Sequence, residues 1–377
     1  MNETWWLDPN QLDDAQKQIL LENPETQLLI VGPPGSGKTN LLILRANYVR
    51  SVASRILLLT FTRTLNEFLK SGPNIGRGDQ IREDEIKTFM GWAKQLLRDH
   101  GGEIPEPARD FEADRLAVAE AVVEMIDTQS LGKLYDVIFV DEVQDLLEIE
   151  LRIIRRLAHR INAAGDSRQR IWRHREGLPT VQALVDRTVA LEQHYRIGVK
   201  ICDFADQILP PKLGDPSLSE GCNYDEEARP SSVFAIPSVD LDAQIDECID
   251  QLKEQRRYIT DEPIGVLTIS GEARDKFWDR LVERGELVNI SVRQRQEEYQ
   301  AFGPDSLIRV MTVASAKGSE FRAVHLIGAE DYGTNRRELA FTAVTRAKTE
   351  VILHHSKSLK GHMKPAGEKL PSIDDLF

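Results

Sequence analysis

The sequence predicts an α/β chain made of two doubly wound parallel sheets in tandem, and three observations predict it. Short apolar runs recur along the whole chain, each followed by a segment of helical period. One strand-to-helix junction, residues 27–39 (QLLIVGPPGSGKT), carries the pattern G-x-x-x-x-G-K-[ST]. A second series of strands after residue 188 has no such loop. The expected division is therefore residues 1–188 and residues 189–377, with a mobile tail from about Ser356.

The first element is a capped amphipathic helix in segment 12–20, with Leu12, Ala15, Ile19 and Leu20 on one side and Gln16 available. Leu28 to Val31 follow as a buried strand, and Leu41, Leu42, Leu44 and Ala46 have the spacing of the helix beyond the turn. Between them, Gly32, Gly35 and Gly37 let backbone N–H groups turn inward around phosphates. The helix N-terminus adds partial positive charge, Lys38 reaches the β/γ oxygens and Thr39 holds Mg²⁺. A nucleoside triphosphate with Mg²⁺ is the expected ligand.

Residues 55–60 (RILLLT) read as a second buried strand ending in Phe61 and Thr62. Segment 86–98 repeats the strand-end-to-helix theme with Thr88 and Phe89 at the junction, and residues 101–134 read as a Pro/Glu-rich loop and an alanine-rich helix. Residues 135–140 (YDVIFV) form a strand running straight into Asp141-Glu142-Val143-Gln144-Asp145. Two carboxylates at the end of a buried strand are costly unless a cation or a proton-transfer role stabilises them. In one reading Asp141 joins the Mg²⁺ shell and Glu142 deprotonates the attacking water; in the other both merely cap the next helix.

The strand at residues 161–164 leads through Gly165-Asp166 into a basic stretch. Residues 152–175 hold eight arginines against one acid, Asp166. Arg152, Arg156 and Arg160 fit one helix face, either solvated or facing phosphate. Trp172 and His174 stand among the later arginines, a mixture that suits stacking and phosphate pairing with single-stranded nucleic acid, with a buried Trp172 as the alternative. After residues 191–196 (LEQHYR), residues 209–232 read as a surface excursion. Strands are then expected at 233–236, 264–269, 308–312, 324–328 and 351–354.

Composition excludes several classes. Hydrophobic residues make up 41% and charged residues 29%, as in ordinary globular chains. A net charge of −13 argues against non-specific coating of nucleic acid, so any such site must be a local groove. Cys202, Cys222 and Cys248 lie far apart with no C-x-x-C, which argues against zinc, an iron–sulfur cluster or a disulfide framework and fits a reducing cytoplasm. No apolar run has the length of a membrane span, and the N-terminus lacks a basic region followed by an apolar one. A cytoplasmic protein without a membrane partner is expected.

Taken in order, these motifs resemble those of superfamily 1 helicases of the UvrD/Rep type, over residues 12 to about 355. The matches are Gln16, the GKT loop, the DExQD motif at 141–145, GDSRQRIW at 165–172 for GDxxQxIY, LEQHYR for LEQNYR, SAKGSEF at 315–321 for SAKGLEF, and VTRA at 344–347. The resemblance implies two RecA-like domains of a P-loop NTPase, ATP and Mg²⁺ as ligands, and 3′-to-5′ movement on single-stranded DNA, with RNA left open. It further implies that Gln16 reads adenine, Gln169 senses the γ-phosphate with Arg175 close by, and Tyr195 stacks on the base. Arg196 and Arg346 would face the phosphates and Glu320 would contact the ribose. Phe61, Thr62, Thr88, Phe89, Trp172 and His174 are the candidates along the nucleic-acid track. For Phe61 and Phe89 the alternative is packing at a strand end.

The departures are specific. Asn40 stands where the family usually has an arginine flanking adenine, and TFMG replaces TFHS. Both intervals that carry large insertions in the family are short, the first holding only about 50 residues between Phe89 and Asp141. The chain reads as a compact motor. The alternative is an ATP-switched interaction subunit that recruits or gates a nuclease or repair partner. The acidic tip Asp374–Phe377, ending in Leu376 and Phe377, is either a docking segment for a protein partner or a frayed terminus.

Overall fold

The structure, a computed structural model, describes residues 6–366 apart from 71, 73, 77, 79, 109–110, 170–176, 213–214, 296–301 and 304. The chain divides into two compact units, Met1–Leu191 and Glu192–Phe377.

In the first unit the strands are β1 (Leu28–Val31), β2 (Ile56–Thr60), β3 (Ile86–Thr88), β4 (Tyr135–Val140), β5 (Ala158–Gly165) and β6 (Arg187–Ala190). They form one parallel sheet in the order β3-β2-β4-β5-β1-β6. The helices are α1 (Asp14–Leu20), α2 (Lys38–Val49), α3 (Arg63–Lys70), α4 (Phe89–Asp99), α5 (Phe111–Gln129), α6 (Glu148–Leu157) and α7 (Gly177–Gln182). Period-two alternation divides the strands between two cores. Leu28, Ile30, Val137 and Phe139 pack with α1, α2 and α3, whereas Leu29, Ile138 and Val140 pack with α4, α5 and α6. This order makes β4, β5 and β1 neighbours, so the turns that leave their C-terminal ends converge.

The division falls after Leu191 rather than after Thr188, because Leu28–Val31 pair with Arg187–Ala190. The exposed pattern of β6 gives it no apolar run to read, which is why it escaped the sequence. Helix α6 ends at Leu157, so Arg160 lies in β5 and not on a helix face with Arg152 and Arg156.

The second unit has β7 (Ser232–Pro237), β8 (Ile264–Thr268), β9 (Ser291–Arg293), β10 (Ile308–Thr312), β11 (Phe321–Ile327) and β12 (Ala347–His355). They too form one parallel sheet, in the order β7-β12-β11-β8-β10-β9. Helices α8 (Val199–Ile208) and α11 (Arg337–Val344) cover one face, α9 (Leu241–Gln255) and α10 (Gly271–Arg284) the other. Between α9 and the sheet, His325 Nδ1 and His354 Nε2 are 2.9 Å apart, and His325 Nε2 donates to Gln255 Oε1 at 2.7 Å. The short β9 was not legible. The segment after Ser356, expected to be mobile, is held as far as Met363: Ser356 donates to Glu330, Leu359 and Met363 are buried in the core, and His362 lies 3.1 Å from Tyr332 O. The tip Asp374–Phe377 lies outside the described residues.

Candidate nucleotide site

The phosphate loop between β1 and α2 has the glycines its backbone needs. Gly35 and Gly37 have φ of 76° and 82°, and a Cβ on Gly32 would stand 2.9 Å from both Leu191 O and Ser36 Oγ. Lys38 Nζ donates to Gly32 O at 2.8 Å and Pro33 O at 2.7 Å, so the ammonium lies inside the cradle. Buried Gln16 clamps the loop from α1: its Nε2 donates to Ser36 O at 3.1 Å while its Oε1 accepts from Asp13 N at 3.1 Å. Asn40 is buried beside it, donating to Leu7 O at 3.4 Å.

At the end of β4, Asp141 is buried, and burial followed by the Glu142 charge raises its carboxyl to about 7. The Thr39 hydroxyl and the Lys38 ammonium facing the same carboxylate pull it down. Asp166, at the end of β5, is raised by burial and lowered by Lys38. Oδ2 of Asp141 and Oδ2 of Asp166 have no hydrogen-bond partner among the described residues. Two buried, unsatisfied carboxylate oxygens beside a phosphate cradle fit a hydrated divalent cation, which would supply the missing charge. The Thr39 hydroxyl faces the Asp141 carboxylate at this corner.

Glu142 adopts φ 54°, ψ 41°, a left-handed conformation that costs an ordinary residue about 1–2 kcal/mol. Its Oε2 accepts from Gln144 Nε2, and Gln144 Oε1 accepts from Asp166 N at 3.1 Å. Gln144 thus ties the two carboxylate-bearing turns together, and a Cβ on Gly165 would meet its Oε1 at 2.7 Å. Beneath the turn, Arg115 donates to the buried Glu150 carboxylate and to Asp145 O. Gln169 is buried at the end of the same turn system. The sequence placed Gln144 and Asp166 in the DExQD and GDxxQxIY motifs without giving either a role, and the support that Arg115 lends the turn left no signal in it.

The nucleic-acid candidates separate. Phe61 is half-buried, with the Arg115 guanidinium 4.9 Å from its ring centroid. Thr62 and Thr88 cap α3 and α4 by accepting from Leu65 N and Gly91 N, each at 3.1 Å. Phe89 is a correction. It is only 3% exposed and packs edge-on against Trp92, so the apolar spacing of α4 claims it for the core and no base can stack on it. Trp172, His174 and Arg175 lie outside the described residues.

In the second unit, three predicted residues meet at one loop. Arg196 pairs with Glu320. Arg346, only 6% exposed, donates from Nε to Thr342 O at 3.1 Å and from its terminal nitrogen to Ser319 O at 3.5 Å. The loop turns at Gly318, whose φ is 82°. Tyr195 is half-buried and donates to Gln193 Oε1 at 3.1 Å.

This glycine cradle with lysine, threonine and paired strand-end carboxylates on a parallel sheet, followed by a second α/β unit, defines a P-loop NTPase of two RecA-like domains. In sequence, residues 16–175 match the family described as AAA domain, and residues 307–354 match the UvrD-like helicase C-terminal domain. These two matches, in the order of the two sheets, support the resemblance to UvrD/Rep-type superfamily 1 helicases, a family of NTP-hydrolysing enzymes. Among solved structures it is similar to the helicase of PRRSV, at 15% identity and a TM-score of 0.42 over 90% of this chain and 54% of that one. It is also similar to the C-terminal domain of a possible DNA helicase from Lactobacillus plantarum WCFS1, at 22% identity and a TM-score of 0.33, over 46% of this chain and 94% of that one. The chain thus spans about half the length of the first of these proteins. No curated protein matches it in sequence. No helix among the described residues is long and apolar enough to cross a membrane.

Proposed function

We propose that the chain is an ATP-driven motor on single-stranded DNA, moving 3′ to 5′ and coupling each hydrolysis to one change in the relation of its two units. The observation that carries the reading is the convergence of Lys38, Thr39, Asp141, Glu142 and Asp166 at three neighbouring strand ends. Lys38 exchanges its loop carbonyls for phosphate oxygens, and Thr39 and Asp141 hold Mg²⁺, which when bound neutralises phosphate charge. Glu142 accepts the proton of the attacking water, with Gln144 holding its carboxylate and Gln169 sensing the γ-phosphate. Arg196 and Arg346 stabilise charge on the phosphates, Tyr195 stacks on the base and Glu320 serves the ribose. Gln16, held in place by its bonds to Asp13 and Ser36, reads adenine with its second amide proton and second oxygen lone pair. Phe61, Thr62 and Thr88, with Trp172 and His174, line the strand's path.

The test is ATPase rate titrated with single-stranded DNA, duplex and RNA, with displacement assays on 3′- and 5′-tailed substrates. Stimulation by single strands and preference for a 3′ tail are expected. An ATPase rate indifferent to nucleic acid would remove the motor and leave the ATP-switched interaction subunit. Preferential stimulation by RNA would reassign the track.

A further inference from the structure

The second unit contains a cluster that nucleotide chemistry does not use. His194, just before Tyr195 and Arg196, Cys202 of α8 and Cys222 of the connection between α8 and β7 bring ligand-type atoms within 4.8 Å of one another. The backbone builds this approach. His194 N donates to Gly221 O and Asn223 N donates to His194 O, both at 2.9 Å, so residues 194 and 222 pair as a parallel bridge. A Cβ on Gly221 would stand 2.3 Å from Glu192 O, so the contact requires glycine there. Both thiols reach the Ile197 carbonyl, Cys202 Sγ at 3.5 Å and Cys222 Sγ at 3.3 Å.

Cys202 Sγ lies 3.7 Å from His194 Nε2. Sulfur at about 2.3 Å and nitrogen at about 2.0 Å from a tetrahedral ion are separated by roughly 3.5 Å, so these two atoms already lie close to one edge of such a site. His194 and Cys202 are fully buried, while Cys222 is half-buried and leaves a way in from solvent. Two thiolates match the charge of one dication, and Asp203, whose charge reaches both thiols, adds to the negative surroundings.

We propose that His194, Cys202 and Cys222 form a cation site for a thiolate-binding, tetrahedral dication of the Zn²⁺ class, with water in the fourth position. On binding, both thiol protons leave to solvent. The His194 proton, now donated from Nε2 to Leu218 O at 2.8 Å, moves to Nδ1. The ion would staple α8 and the following connection to the segment that carries Tyr195 and Arg196. A second trio, Cys248, His325 and His354, also lies within ligand distance. There both His325 nitrogens are already bonded, to His354 and Gln255, and all three residues are buried, so it serves as the control.

The test uses the untagged full chain, stripped with a chelator and titrated with Zn²⁺ or Co²⁺ alone. One Zn²⁺ per chain is expected to survive gel filtration, and Co²⁺ should show thiolate charge-transfer and tetrahedral d–d bands. Cys222→Ser should weaken binding at least about 100-fold, since outer-shell changes alone cost about 10–100-fold, and Cys248→Ser should leave it unchanged. In the unmodified chain, Zn²⁺ should block thiol-reagent labelling of Cys222. Labelling unaffected by Zn²⁺, or stoichiometric binding that survives Cys222→Ser, would overturn the proposal.

Discussion

At the scale of single residues, Glu142 is where function and stability oppose each other. It is held left-handed and its charge presses on buried Asp141, so both backbone and electrostatics stand against it. Glu142→Gln keeps the strained backbone and should bind ATP while losing turnover. Glu142→Gly should also lose turnover but raise folding stability, by about 1 kcal/mol from the backbone alone. Denaturant melts of the two variants beside the wild type check this; a Gly variant no more stable than the Gln variant would disprove the strain argument. Lys38→Ala should lose ATP affinity by equilibrium titration, because no other described ammonium donates to the loop carbonyls.

At the scale of elements, the turn after β4 rests on a buried ion pair between α5 and α6. Arg115 and Glu150 are nearly inaccessible, and Glu150 also accepts from Leu147 N. Arg115→Leu leaves an uncompensated carboxylate and should cost about 3–5 kcal/mol in denaturant unfolding, with much of that restored in Arg115→Leu/Glu150→Leu. The beginning of α4 makes a different prediction. Phe89→Ala should cost about 3–5 kcal/mol through the cavity it leaves. The milder Phe89→Leu should leave the DNA concentration for half-maximal ATPase stimulation unchanged, and a severalfold rise in that concentration would return Phe89 to the track.

At the scale of the whole molecule, the buried polar layer of the second unit sets an acid limit. Burial holds His325 well below the usual range and His354 at about 3, so between about pH 6.5 and 3 the unfolded chain binds more protons and stability is lost as the pH drops. Glu350, whose Oε2 accepts from Gln255, is pushed by burial to about 7, and its stabilisation is lost as pH rises from about 4.5 through 7. The two oppose each other between about 4.5 and 6.5. There the two histidines outweigh the one carboxyl, so the wild type should lose stability with acid below about pH 6.5 and Glu350→Gln should lose it more steeply between about 6.5 and 4.5, in thermal melts across pH.

By itself the sequence determined the series of motifs and the two parallel α/β sheets, because glycine turns, buried strands and paired carboxylates impose short-range patterns that survive without neighbours. Strands β6 and β9 escaped it because one is largely exposed and the other spans only Ser291–Arg293, so neither leaves a periodic signal. Phe89 was ambiguous for the opposite reason: an aromatic residue at a strand end reads the same whether it faces a base or Trp92. Only the tertiary structure decided that Asp141 and Asp166 share one buried corner with Lys38, and that Cys202 and Cys222, far apart in the chain, lie together beside His194. Strand order and a parallel bridge bring these groups together, and neither is written in local spacing.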